Sequence, residues 1–133
     1  MSTFNLTILA PERRLLQGEP VSSLIITTAE GEVQILPGHA DMISALETGR
    51  FVYRSSQGEI TGIITSGFLN VESGAVKVVA ETIELAGEID RNRAKQAQAS
   101  AEKMLMDSSL DEASFRKYQL KLQRAIIRQQ IGG

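Results

Sequence analysis

Cysteine is absent from the 133 residues, which excludes a disulfide framework, a thiol nucleophile and a thiolate metal site. Histidine occurs once, at position 39, and aromatic residues make up 5% of the chain, so stacking platforms for single-stranded nucleic acid are scarce. No apolar run approaches the roughly 18 residues of a membrane span. The opening segment, MSTFNLTILAPERR, has no basic stretch ahead of its apolar one, unlike a secretory leader. The expectation is a soluble chain that is not exported. Acidic residues are missing altogether from Ala113 to Gly133. The net charge of −2 hides a division: Met1 to Ile89 holds five Lys/Arg against eleven Asp/Glu, and Asp90 to Gly133 holds nine against five. Such a break marks a boundary and predicts different partners on its two sides. The length allows one ordinary core, or a small domain with an appendage.

The first part is organised around Gly31 to Gly49, GEVQILPGHADMISALETG. It crosses an apolar strand at Val33 to Leu36. Proline sets one backbone angle and glycine accepts the other, so Leu36-Pro37-Gly38-His39 reads as a tight turn. Upstream, Phe4, Leu6 and Ile8 alternate with Asn5 and Thr7, the period of a half-buried strand. Arg13 to Gln17 predicts a second strand, Gly18-Glu19-Pro20 a turn, and the β-branched run Val21 to Thr28 a third strand. Met42 to Leu46 has no clear type, and Arg50 to Arg54 reads as a strand. Glu59 to Thr65 and Phe68 to Glu72 follow. Ser73-Gly74 is a hairpin turn, and Ala75 to Leu85 closes the sheet. Short strands joined by glycine turns predict a sandwich or barrel.

Past Gly87 the period becomes helical. Ala94, Ala97, Ala101, Met104 and Leu105 form one stripe of a helix from about Asp90 to Met106, with Asp90 as its N-cap. Asp107-Ser108-Ser109 breaks it. Ser109 and Glu112 have the form of a capping box for a second helix ending near Gln130. A connection of about three or four residues makes the helices an antiparallel hairpin. The second helix carries two apolar stripes: Phe115, Tyr118, Leu122, Ala125 and Ile126 on one side, and Ala113, Leu120, Ile127 and Ile131 nearly opposite, at about 100° per residue. Between them run Lys117, Lys121, Arg124 and Arg128. The fold class is therefore mainly β plus α: a β-sandwich over residues 1–87 and a two-helix hairpin over 88–133.

Three groups of residues invite a functional reading. His39 with Asp41 could form a general base, though an enzyme would also need a nucleophile or electrophile placed by other elements; the plainer reading is a turn histidine. The basic row could be a solvated face, a track for phosphates of nucleic acid, or a contact for an acidic protein. Arg93 in a first helical turn is slightly unfavourable with the helix dipole, which the N-cap role of Asp90 does not explain. A free-standing module whose basic helix docks on nucleic acid or an acidic protein is thus one reading of the residues.

A second comes from family likeness. Gly31-Glu32-Val33-Gln34-Ile35-Leu36-Pro37-Gly38-His39 resembles the Gly-x-x-x-Ile-Leu-Pro-Gly-His signature of the epsilon subunit of F-type ATP synthases. Ser66-Gly67-Phe68-Leu69-Asn70-Val71 resembles its second signature and Ile89-Asp90-Arg91-Asn92-Arg93-Ala94 its third, in the family's order and over essentially the whole chain. Many members carry glycine where this chain has Gln34. The resemblance implies a non-catalytic central-stalk subunit that joins the shaft subunit gamma to the rotor ring of c subunits, couples proton flow to ATP synthesis and restrains ATP hydrolysis. It places the protein peripherally on the cytoplasmic face of a bacterial inner membrane, or the stromal face of a thylakoid membrane, held through the ring. Glu30, Glu32 and His39 then belong to turns resting on the ring. Lys117, Lys121, Arg124 and Arg128 meet an acidic segment of the alpha and beta head subunits, and nucleic acid is not a partner. No cofactor is required, but ATP is implied as a regulatory ligand: nucleotide-binding members have acidic residues matching Glu84 and Asp90 and arginines matching Arg93, Arg124 and Arg128. Two further arginines of those members correspond to Ser100 and Lys117. Here one phosphate contact is missing and another has lost its planar fork.

Overall fold

The computed structural model describes residues 2–131. The chain forms two compact units, Met1–Leu85 and Ala86–Gly133. In the first, strict alternation builds the opening strand: Phe4, Leu6 and Ile8 of β1 (Phe4–Ala10) are buried and the residues between them are not. β2 (Arg13–Val21) returns antiparallel beside it. The turn expected at Gly18-Glu19-Pro20 does not exist. The strand instead runs through that segment with register shifts against β1, and Gly18 N–H donates to Thr7 Oγ1 at 2.9 Å. Bulging at a sheet edge accommodates both proline and a left-handed glycine.

β3 (Ser23–Thr28) pairs antiparallel with β4 (Gly31–Ile35) on one side and β5 (Met42–Ser55) on the other. The turn after β4 is closed by His39 N–H donating to Leu36 O at 3.1 Å, with Gly38 at φ 84°. Gln34 sits in regular register opposite Ile25. The unassigned segment after it and the strand from Arg50 are one strand of 14 residues. Glu47-Thr48-Gly49 reads as a break because it is polar and ends in glycine. A Cβ at Gly49 would lie 2.6 Å from Thr27 Oγ1, so glycine lets β3 pass close to β5 there.

The long strand feeds two layers. Its first half pairs with β7 (Gly67–Glu72), which leads through β8 (Ala75–Ala80) to β1; its second half pairs with β6 (Gly58–Ile64), which leads to β9 (Ile83–Leu85). The closing run from Ala75 is thus two strands, and β1 and β8 run parallel. The side chains turned inward, among them Leu6, Ile8, Leu24, Ile26, Phe51, Ile64 and Leu69, are fully buried. Each contributes about 1.5–3 kcal/mol by leaving water. Phe51 and Tyr53, two apart on one strand face, stack with ring centroids 6.4 Å apart.

In the second unit a 3-10 turn (Ala86–Glu88) precedes α1 (Arg91–Leu105), followed by α2 (Glu112–Ile131). Asp90 caps α1, its carboxylate accepting from Asn92 and Arg93 N–H at 3.0 and 3.2 Å. The cap of α2 is not Ser109, as the sequence pattern predicts, but Asp111, whose carboxylate accepts from Ser114 N–H at 2.7 Å. Ser109 instead bonds Asp107 through both its hydroxyl and its N–H. The connection is accordingly longer than expected. The side chains facing α1 are those of Tyr118, Leu122 and Ala125, while Phe115 and Ile126 of the same predicted stripe are exposed. Ala97, too, is exposed.

Candidate functional site

The basic row of α2 comes from helical spacing, since positions 121, 124 and 128 recur on one side within two turns. Lys121, Arg124 and Arg128 line one wall of a cavity of about 400 Å³ between the helices, and Ala97, Ser100, Ala101 and Met104 line the other. Small side chains on α1 leave the room; long cations on α2 surround it. Tyr118 completes the lining, with Lys121 Nζ 5.4 Å and Lys117 Nζ 5.8 Å from its ring centroid. Cations at these distances are attracted by the ring face, which orients both lysines. After Glu112 no acidic side chain of α2 offsets them. The cavity therefore suits an anion.

Of the residues matched to nucleotide binding, the structure brings Arg124 and Arg128 together here, with Ser100 opposite. Arg93 lies on the surface one turn before Ala97 on the same row of α1, outside the lining. Asp90 is engaged as a cap, its carboxylate accepting from the Asn92 and Arg93 N–H groups. Glu84 lies on β9, in the other unit. Lys117 stands beside Tyr118, not in the cavity wall. The sequence reading missed Tyr118 as part of the site, since helical spacing admits Lys117 equally and only packing separates the two.

The turn residues of the β unit are differently placed. Glu30 precedes β4 and its N–H donates to Thr28 Oγ1 at 3.2 Å; His39 follows β4. A surface touching both must extend along the strand, about 16 Å, and take in Glu32. Glu32 is already engaged: its two oxygens accept from Arg50 Nε and Nη2 at 2.8 and 3.0 Å. That fork holds the Glu32 carboxyl below its usual range and raises the Arg50 guanidinium. His39 Nδ1 lies 2.7 Å from Ala40 O; a carbonyl only accepts, so this nitrogen carries the hydrogen. Asp41 accepts from Ser73 N–H at 3.0 Å, which pins the β7–β8 turn. The His39–Asp41 pair considered as a general base is not assembled: each group bonds backbone elsewhere.

Exposed apolar side chains mark another surface. Ile43 is 80% and Phe68 47% exposed. They lie diagonally across β5 and β7, since Phe68 pairs with Ala45 and Asn70 with Ile43.

Comparison with known proteins identifies the architecture. The beta-sandwich domain of the ATP synthase delta/epsilon chain matches residues 3–86, and its long alpha-helix domain matches residues 88–132. The ATP synthase epsilon chain of Geotalea uraniireducens is 38% identical over 124 residues, covering 93% of this chain and 89% of that one. That of an Exiguobacterium species is 35% identical over 132 residues, covering 98% and 96%. Among solved structures, a chain of the Euglena gracilis mitochondrial ATP synthase, captured with OSCP, F1 and c-ring, superposes with a TM-score of 0.85 at 26% identity, over 95% of this chain and 79% of that one. Both the sandwich and the hairpin thus have counterparts in one family, and the chain belongs to the epsilon subunits of the F-type ATP synthase central stalk.

Proposed function

We propose that this subunit performs no chemistry itself: it links the gamma subunit to the ring of c subunits, couples proton-driven rotation to ATP synthesis, and restrains hydrolysis through α2. The exposed Ile43 and Phe68 support a protein partner on the β unit, because large apolar groups on a sheet face gain by burial. Glu30, Glu32 and His39 are the ring-facing residues on this reading, with Glu32 presented by Arg50. The subunit then sits peripherally at the membrane, on its cytoplasmic or stromal face. Lys117, Lys121, Arg124 and Arg128 contact an acidic segment of the alpha and beta subunits.

The hairpin also takes ATP as a regulatory ligand. The observation that carries this is the cavity itself, with Lys121, Arg124 and Arg128 on one wall and Ala97, Ser100, Ala101 and Met104 on the other. Arg124 and Arg128 hold phosphate oxygens, and Arg93 adds its charge from the surface of α1, one turn before Ala97. Lys121 supplies some of the charge that Ser100 lacks. Titration calorimetry of the subunit is expected to show heat at millimolar ATP, weakened about tenfold or more by Arg124→Ala through loss of charged hydrogen bonds. No heat at that concentration refutes the nucleotide reading, and binding unchanged by both Arg93→Ala and Arg124→Ala moves the site elsewhere. In the assembled enzyme, alanine at all four basic positions is expected to raise ATP hydrolysis without loss of assembly. Unchanged hydrolysis removes α2 from the inhibitory role.

A further inference from the structure

Among the described residues, α1 and α2 bury only Ala94, Ala101 and Ala125. An alanine seam removes little apolar surface, and large side chains of α2 remain outside it: Phe115, Leu120 and Ile126 are 41%, 45% and 38% exposed. Apolar packing alone therefore holds the two helices together weakly.

Polar bonds converge where α1 begins and α2 ends. The Gln129 side-chain amide donates to Gln98 Oε1, and also to Ala125 O at 3.2 Å. The Gln129 carbonyl accepts from Arg91 Nη2 at 3.0 Å. That carbonyl is among the last four of α2, which no intrahelical N–H can reach, and a guanidinium there also favours the negative end of the helix dipole. Arg91 and Gln98 are seven residues apart, two turns along one row of α1, and Ala94 and Ala101 share that row. One row thus grips a single residue of the facing helix by both its backbone carbonyl and its side-chain amide.

We propose that Arg91, Gln98 and Gln129 form a polar clasp that closes the hairpin at its open end and sets how readily the last two turns of α2 leave α1. The clasp acts separately from the cationic cavity, since none of the three residues lines it. Gln129 nevertheless adjoins Arg128, which does. Opening the clasp carries Arg128 away from the α1 wall, so the clasp is a positioning device for the cavity.

Hydrogen exchange on the full-length chain tests this, with amides of the β unit as the internal standard for folding. Gln98→Ala and Gln129→Ala are each expected to speed exchange of the last two turns of α2 about tenfold, with little change in its first turns. Exposed Gln123→Ala serves as control and should leave rates within about twofold. The double variant should open no further than the more affected single variant, because both remove the same bond. Rates unchanged in both single variants, or a fully additive double variant, overturn the clasp. Uniform acceleration along both helices also overturns it, since that reports general loss of helix and not release of one end.

Discussion

A single missing side chain fixes the meeting of β7 and β8. A Cβ on Gly67 would lie 1.9 Å from the Val79 carbonyl oxygen and 2.8 Å from Ala80 Cα, and both obstacles are backbone. Neither can rotate away as a side chain would, so the strands themselves would have to part. Gly67→Ala is expected to destabilise the β unit by about 3 kcal/mol, the upper end for overpacking. Gly87→Ala meets nothing within 4 Å and should stay within about 0.5 kcal/mol. Denaturant unfolding of the two variants checks the contrast; equal stability would mean that the sheet yields at Gly67. This explains in physical terms why glycine stands at position 67, something its sequence neighbours could not reveal.

At the scale of the element, α2 depends on a cap that sequence pattern placed two residues too early. Ser109-x-x-Glu112 has the outward form of a capping box, but Asp111 bonds Ser114 N–H and Asp107 claims Ser109. Two carboxylates and a serine compete for one role, and short-range spacing does not rank them. The Asp111 carboxyl is held below the usual range by the Ser114 backbone N–H. Its contribution to the folded state is therefore present above the ordinary aspartate range and is lost as pH falls through the lowered value. Helical content, read by circular dichroism, should fall in acid, and Asp111→Ala should lower it at neutral pH and flatten part of that response. Ser109→Ala should do less. A larger effect from Ser109→Ala would restore the box. Elsewhere the elements were legible where one period held: Phe4, Leu6 and Ile8 alternate and are buried, and Asp90 reads as a cap and is one. They were illegible where tertiary contact overrode local signals, as where β5 continues through Gly49 and β2 through Pro20. The cavity was half legible, since helical spacing aligned Lys121, Arg124 and Arg128, but only packing shows that Tyr118 joins them and Lys117 does not.

Across the whole molecule, the change of charge near Asp90 accompanies a change in how stability is built. The β unit contains a contiguous cluster of large buried side chains, from Phe4 and Leu6 through Phe51 to Val78 and Ile83. Helices α1 and α2 bury alanines, with polar bonds at their open end. A short helical hairpin of that kind falls below what isolated folding requires, whereas the sheet closes its own core. The chain cut after Gly87 should therefore unfold cooperatively, with a midpoint close to that of the full-length β signal. The excised hairpin should show little cooperative melting. Both follow from where the apolar volume lies: the cluster of large buried side chains runs from Phe4 to Ile83, while the fully buried residues of the helices are alanines. Thermal unfolding of the fragment, followed in the near ultraviolet through buried Phe51 and Tyr53, provides the measurement. A molten or insoluble fragment would mean that the hairpin contributes to the core of the β unit.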